Sequence, residues 1–222
     1  MKSVKVGLFT IGQSPRLDLV PEIIPLLLPQ IEVVEEGLLD GLPPEEINLL
    51  KPEFGEIPLL TPLKDGSQVQ LSEKKINSLL HESIDNMRTN KDVRAVGVLC
   101  THDFHETRFS FPVIFPHHYL NFIITQTFLI HNLGIVVPLE NQIERAKKKW
   151  NAEKVIAEVK SPYGEGKGWE EIAQRFIQEK VEAVIPDGIG YTIQDKQHLQ
   201  NMLPSPILLP RAVLAHAINQ IF

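Results

Sequence analysis

The sequence lacks most of the features that mark membrane, secreted or disulfide-bonded proteins. Its 222 residues include a single cysteine, Cys100, so no internal disulfide can form. The longest apolar stretches, residues 19–28 and 120–130, are shorter than the roughly 18 apolar residues that a membrane span needs. No apolar leader precedes the first predicted strand, which begins near Val4. We therefore expect a cytoplasmic protein with no membrane contact.

Positive charge is also scarce. The chain has 22 Lys and Arg residues against 28 Asp and Glu residues, a formal net charge of -6. Nucleic-acid binding requires clustered basic residues that neutralise phosphates, and the one basic run, Arg145-Ala-Lys-Lys-Lys149, is short. We interpret this run as a solvent-exposed helix end and expect no nucleic-acid partner.

The sequence does contain a regular alternation of strand and helix patterns. Apolar runs of strand length alternate with segments whose apolar residues recur at helical spacing, which predicts an α/β fold with βαβ units and a parallel sheet. The predicted strands cover residues 4–11, 31–35, 57–61, 93–100, 133–138, 155–159, 181–186 and 206–210. The predicted helices cover residues 15–29, 72–89, 117–131, 139–150, 169–180, 193–202 and 213–222, and a further short helix begins within residues 41–46.

The turn after the first predicted strand is a candidate anion site. Ser14 is suited to be a helix N-cap, with Pro15 at the first helical position, where its missing N–H costs nothing. The free N–H groups of a helix start can bind a carboxylate or phosphate, and Arg16 would add positive charge. The alternative is that Ser14 is only a cap and Arg16 only a surface residue.

Cys100 lies at the predicted carboxyl end of a strand, the edge where ligands bind in open α/β sheets. Thr101, His102 and His105 follow it closely. A thiol beside imidazoles can have its pKa lowered from about 8.5, and it can then act as a nucleophile or proton carrier. The alternatives are that Cys100 is a small core residue and that the histidines are loop residues in contact with water.

Metal and nucleotide cofactors are not expected. The residue types near Cys100 suit Zn2+, but their spacing matches no defined zinc signature. The glycines between residues 162 and 168 lack the Lys-Ser/Thr ending of a P-loop, and no Gly-x-Gly-x-x-Gly fingerprint occurs. The side chains whose type suits a metal ion are Cys100, His102, His105, Glu106, His117 and His118.

Two motifs resemble those of a known family. Phe9-Thr-Ile-Gly-Gln-Ser-Pro-Arg16 and Pro186-Asp-Gly-Ile-Gly-Tyr191, with the overall length, resemble the AroM family, which is similar to the aspartate/glutamate racemase superfamily. The resemblance implies two pseudo-symmetric α/β lobes, each with a parallel sheet flanked by helices, and a ligand cleft between them. Residues 1–115 and 211–222 would form the N-terminal lobe and residues 116–210 the C-terminal lobe. A homodimer is implied as well.

The cofactor-independent racemases place one cysteine at a strand end in each lobe, and the two thiols move the α-proton on opposite faces of the substrate. By resemblance, Cys100 followed by Thr101 occupies the first-lobe position. The second-lobe position falls on Gly188, which carries no acid or base. Asp187, Tyr191 or a histidine would have to replace the missing thiol for two-base racemisation to occur.

A one-cysteine site favours a decarboxylase or an isomerase of a small carboxylic acid or amino-acid-like substrate over a two-base racemase. Cys100 is the expected catalytic residue, and His102 and Asp187 are further candidates. The alternative is a carboxylate-binding or regulatory protein on the same scaffold, without catalysis. The expected substrate-binding residues are Thr10, Gln13, Ser14, Arg16, Thr101, Gly188, Gly190 and Tyr191. The alternative for Tyr191 is that it packs against its neighbouring turn.

Overall fold

The computed structural model describes residues 3–104, 108–127, 129–164 and 167–222. The chain divides into two compact units, one formed by Met1–Phe115 with Ile218–Phe222 and the other by Pro116–Ala217. The division falls within the last helix. The predicted lobes, residues 1–115 with 211–222 and residues 116–210, stay predictions.

The first unit contains a parallel sheet and a separate hairpin. Its strands are β1 (Val4–Thr10), β2 (Ile31–Gly37), β3 (Pro58–Pro62), β4 (Gln68–Ser72), β5 (Ala95–Val98) and β6 (Val113–Ile114). Four of them form a parallel sheet in the order β2-β1-β5-β6, whereas β3 and β4 pair antiparallel. The sequence analysis missed β4, because only two of its five residues, Val69 and Leu71, are apolar.

The helices of the first unit are α1 (Val20–Ile23), α2 (Pro44–Leu49) and α3 (Glu73–Lys91). The N-cap of α3 is Ser72, whose hydroxyl accepts a hydrogen bond from the Lys75 N–H at 3.3 Å. Its buried residues recur at helical spacing and end with Met87. A Cβ at Gly7 in β1 would lie 2.7 Å from Met87 Cε, so α3 packs closely on the sheet at this glycine.

The prediction of a helix that begins at Ser14 is wrong. The chain after β1 is irregular until Val20, and a short 3-10 turn, Ile24–Leu26, follows α1. Pro25 contributes to this interruption, because it cannot donate the N–H that would continue the helix. The Ser14 hydroxyl does not cap a helix and donates instead to Asp40.

The second unit contains a three-stranded parallel sheet, in which Asn132–Val137 pairs with Lys154–Val159 on one side and with Ala183–Pro186 on the other. Its apolar clusters include Trp150 and Trp169. The predicted strand at residues 206–210 is reduced to one bridge between Ile207 and Val184. Pro206 precedes Ile207 and Pro210 ends the segment, and neither proline can donate to a ladder. The elements of this unit are α4 (Pro116–Phe122), a π-turn (Ile123–Thr127), β7 (Asn132–Val137), α5 (Ile143–Lys149), β8 (Lys154–Val159), α6 (Trp169–Gln178), β9 (Ala183–Pro186), α7 (Ile193–Met202) and α8 (Pro210–Asn219).

Parallel strands alternate with helices in both units, which confirms the predicted α/β class. Carboxyl ends of parallel strands meet at one edge of a sheet, so the loops after β1 and β5 lie at the same edge in the first unit. The loops after β8 and β9 do so in the second. In the described part of the chain, no helix combines the length and apolarity that a membrane span requires.

Candidate functional site

The loop after β5 carries the first group of candidate residues. Cys100 lies two residues beyond the end of β5, is half-buried and packs against the apolar core of the first unit. The next two residues, Thr101 and His102, are both buried. The loop at the carboxyl edge of the sheet therefore carries a half-buried cysteine followed directly in the chain by a buried threonine and a buried histidine.

His102 is held between two carboxylates. Its Nε2 lies 3.2 Å from Glu73 Oε1 at the start of α3, and its Nδ1 lies 3.8 Å from Asp103 Oδ1. The ring of Phe104 packs edge-on against the imidazole, with the ring centroids 4.8 Å apart. These contacts fix the imidazole in the loop that carries Cys100. His105, also named from the sequence, lies outside the described residues.

The turn after β1 contains a buried guanidinium. Arg16 donates through Nε and Nη2 to the two carboxylate oxygens of Asp18, at 2.8 and 2.6 Å, and through Nη1 to Thr10 Oγ1 at 3.0 Å. The alternative that Arg16 is a surface residue is therefore wrong, since only 3% of the residue is exposed. Thr10 Oγ1 also accepts the Gly12 N–H at 3.2 Å, so both predicted binding residues take part in organising this turn.

Asp40 organises the rest of the same turn. It accepts the Ser14 N–H at 2.8 Å, the Ser14 hydroxyl and the Gly37 N–H at 2.8 Å. Gln13 Oε1 accepts the Lys64 N–H from the hairpin at 2.9 Å. The sequence analysis missed Asp40, because it lies 26 residues from Ser14 and no local pattern connects the two.

Thr61 packs against Gly12 in this turn. A Cβ on Gly12 would overlap the Thr61 hydroxyl oxygen, so glycine is required here by space. Thr61 is 2% exposed, and its hydroxyl has no hydrogen-bond partner among the residues that the structure describes. The close approach of the oxygen to the glycine backbone is compatible with a weak Cα–H···O contact.

The second group of candidate residues lies after β9 and centres on a buried ion pair. Lys149 Nζ donates to both carboxylate oxygens of Asp187, at 2.6 and 2.9 Å, and Trp150 Nε1 donates to Oδ2 at 3.1 Å. The Lys149 and Asp187 side chains are 5% and 7% exposed. The interpretation of the basic run as a solvent-exposed helix end is therefore wrong for Lys149.

The turn beyond Asp187 is tightly packed. A Cβ on Gly188 would lie 3.0 Å from Tyr191 Cε2, and a Cβ on Gly190 would overlap the Tyr163 hydroxyl. Tyr191 is fully buried and donates its hydroxyl to Lys160 O at 2.5 Å. Burial raises the pKa of Tyr191 well above 10, and the negative charge of Asp187 adds to this effect. Tyr191 thus packs against the turn, which is one of the two alternatives that the sequence left open for it.

Arg211 supports this turn from α8. The guanidinium is fully buried, and it donates to Ile189 O from Nε and Nη2 at 3.2 and 3.0 Å. Nη2 also donates to Gly190 O at 2.8 Å. The sequence analysis missed both Arg211 and Lys149. The Asp187-Gly-Ile-Gly motif was visible, but its partners lie 21 to 38 residues away along the chain.

The structure thus forms two groups of predicted residues, each within one unit. Thr10, Arg16 and Ser14 belong to one hydrogen-bonded turn, with the Cys100 loop at the same sheet edge. Asp187 to Tyr191 form the other group. Within the ranges described, no cluster of three His, Cys, Asp or Glu side chains could hold a metal ion.

Comparisons with known proteins agree with this fold. A family model described as AroM protein matches residues 6–222. Glutamate racemase from Francisella tularensis, solved with D-glutamate, is 15% identical, with a TM-score of 0.60 over 100% of this chain and 81% of its own. Allantoin racemase from Klebsiella pneumoniae is 14% identical, with a TM-score of 0.61 over 99% of this chain and 87% of its own.

Maleate isomerase from Pseudomonas putida S16 is 11% identical, with a TM-score of 0.62 over 99% of this chain and 93% of its own. No curated protein matches the chain by sequence. At such low identities the structural likeness concerns the fold, which is that of these racemases and isomerases.

Proposed function

The chain belongs to the AroM family, and from that premise we propose a cofactor-independent enzyme that acts on a small carboxylic acid or amino-acid-like substrate. Cys100 supplies the acid, the base or the nucleophile. The supporting observation is the half-buried thiol just after β5, with Thr101 and His102 next to it, in a racemase-like fold. The proteins of similar fold are named for glutamate, allantoin and maleate, and two of these three are carboxylates.

One reaction that needs a single thiol is decarboxylation of a substituted malonate. The bond to one carboxylate breaks, carbon dioxide leaves, and the electron pair remains on carbon as an enolate. The Cys100 thiol gives its proton to that carbon, and the resulting thiolate takes a proton from water. No second acid or base is required, which is compatible with glycine at position 188.

The other reaction is isomerisation of an unsaturated acid. The Cys100 thiolate adds to the double bond, and the electron pair moves to the carbon beside the second carboxylate. Rotation about the new single bond and expulsion of the thiolate give the isomer. Both reactions develop negative charge on substrate oxygen atoms, so both need hydrogen-bond donors aimed at those oxygens.

Within the second unit, backbone N–H groups after β9 are candidate donors to a carboxylate. The N–H groups of Ile189 and Gly190 donate to no acceptor among the described residues, although both residues are buried. The Ser14 hydroxyl and the Arg16 guanidinium already donate to Asp40 and Asp18. These two residues would have to exchange partners before binding a substrate carboxylate.

A second candidate function is carboxylate binding without catalysis. It is favoured by the position of the missing second thiol, where Gly188 follows an aspartate already engaged by Lys149 and Trp150. Both oxygens of the Asp187 carboxylate are occupied by N–H donors. Asp187 is therefore poorly placed to act as the opposing base of a racemase.

The two functions can be distinguished by solvent exchange. The native protein and a Cys100→Ser variant are incubated in D2O with substituted malonates, maleate, hydantoins and a panel of amino acids, and substrate carbon is followed by NMR. The enzyme predicts, with the native protein and not with Cys100→Ser, either deuterium at a substrate carbon or conversion of maleate to its isomer. Compounds that bind both proteins without exchange, decarboxylation or isomerisation would favour the binding protein and contradict catalysis.

A further inference from the structure

The turn at residues 188–191 has backbone carbonyls and backbone N–H groups with different environments. The carbonyl oxygens of Ile189 and Gly190 both accept hydrogen bonds from Arg211. The N–H groups of Ile189 and Gly190 have no acceptor in the described part of the chain. Buried backbone N–H groups are nearly always paired with protein, water or a ligand, so two consecutive unpaired groups require a physical explanation.

Peptide planarity connects these observations. The C=O of Ile189 and the N–H of Gly190 belong to one planar peptide unit and point in opposite directions. Because Arg211 binds this C=O, the Gly190 N–H points away from the guanidinium. The next peptide unit behaves in the same way, since Arg211 also binds Gly190 O. The Tyr191 N–H of that unit makes only a long contact, 3.5 Å, with Gly188 O.

The neighbouring side chains keep this arrangement in place. Tyr163 fills the space where a side chain on residue 190 would stand, and Tyr191 packs against Gly188. Neither glycine has a positive φ, so glycine is needed for close packing rather than for an unusual backbone conformation. The turn therefore cannot easily rotate to satisfy its N–H groups internally.

We infer that Arg211 is a positioning residue, whose buried guanidinium holds the Ile189 and Gly190 carbonyls so that the turn presents backbone N–H donors to a ligand carboxylate. The inference rests on the proposed function for the identity of the ligand. Successive backbone N–H groups form anion-binding concavities in proteins, and a carboxylate makes strong hydrogen bonds with them. Arg211 itself does not touch the ligand.

A conservative substitution tests this role. Arg211→Lys retains the positive charge, but an ammonium cannot reproduce the planar fork that binds two successive carbonyls. Loss of one hydrogen bond to a charged ligand corresponds to about a tenfold or greater loss of affinity. Arg175→Lys is the matched control, because Arg175 lies in the same unit on α6, with its side chain 52% exposed.

The experiment is an NMR titration of 15N-labelled protein with malonate, maleate and acetate. In the native protein the Ile189 and Gly190 amide signals should shift with at least one of these probes. Arg211→Lys should keep a folded spectrum and bind that probe about tenfold or more weakly, whereas Arg175→Lys should bind it like the native protein. Unchanged affinity in a folded Arg211→Lys protein overturns the inference.

The titration has two further outcomes. If Arg211→Lys does not fold, the native titration alone decides, and amide shifts confined to other residues overturn the inference. The Cys100→Ser variant separates this inference from the proposed function, because it retains the whole turn. Native-like amide shifts in that variant, together with no deuterium exchange, decarboxylation or isomerisation by any protein, support the positioning role while the proposed enzyme fails.

Discussion

Removal of the Lys149 charge should strongly destabilise the second unit. The Lys149→Met variant keeps the apolar stem but leaves the Asp187 carboxylate buried, with Trp150 as its remaining side-chain donor. Because the two side chains are 5% and 7% exposed, water cannot replace the lost ammonium easily. Removing one partner of such a pair costs about 3–5 kcal/mol. With a urea dependence of about 2 kcal/mol/M, the unfolding midpoint should fall by about 1.5–2.5 M.

Tryptophan fluorescence is a suitable assay, because the two tryptophans, Trp150 and Trp169, both belong to the second unit. The matched control is Lys147→Met on the same helix, whose ammonium makes an exposed pair with Glu144 and should contribute little. The double variant Lys149→Met with Asp187→Asn should recover part of the stability, since no buried charge remains. Equal midpoints for Lys147→Met and Lys149→Met, or a double variant less stable than Lys149→Met, would refute this reasoning.

The remaining predictions concern three other sites. The raised pKa of Tyr191 means that the folded state favours the neutral phenol, so this stabilisation is complete below pH of about 10 and falls as the pH rises further. Ultraviolet titration of the native protein should show a tyrosine that resists ionisation until the protein unfolds, and Tyr191→Phe should remove this resistance and lose less stability at alkaline pH. Gly12→Ala should cost about 1–3 kcal/mol through overlap with Thr61, and adding Thr61→Ala should restore much of it in urea unfolding; purely additive losses would contradict this. Tuning of the thiol by His102 predicts that the pH profile of Cys100 alkylation moves upward in His102→Gln, and an unchanged profile would exclude this tuning.

The fold class was predictable because the strand and helix periodicities alternate along the chain. Two segments were assigned wrongly, each for its own physical reason. Ser14 followed by Pro15 is typical of a helix start, but the long-range Asp40 contact occupies the serine. The strand β4 was missed, since its apolar residues are too few to stand out from a polar segment.

Only part of the candidate site could be predicted from the sequence. Cys100 and the glycines near residue 188 could be found, because a lone thiol and a Gly-x-Gly motif are local features. Glu73, Lys149 and Arg211 could not be found from the sequence, because each contacts a residue that is distant along the chain and is brought close only by the fold. The homodimer and the ligand cleft stay predictions.

The proposed enzyme requires that the Cys100 thiol reacts with bound substrate. Because Cys100 is the only cysteine, iodoacetamide labelling can modify one thiol per chain, which mass spectrometry verifies. The measurement is the rate of deuterium incorporation or of isomerisation in D2O by labelled and unlabelled protein, with whichever compound of the panel reacts. We predict that one equivalent of label abolishes the reaction and that the substrate slows labelling. Reaction at the native rate by fully labelled protein would contradict chemistry at Cys100.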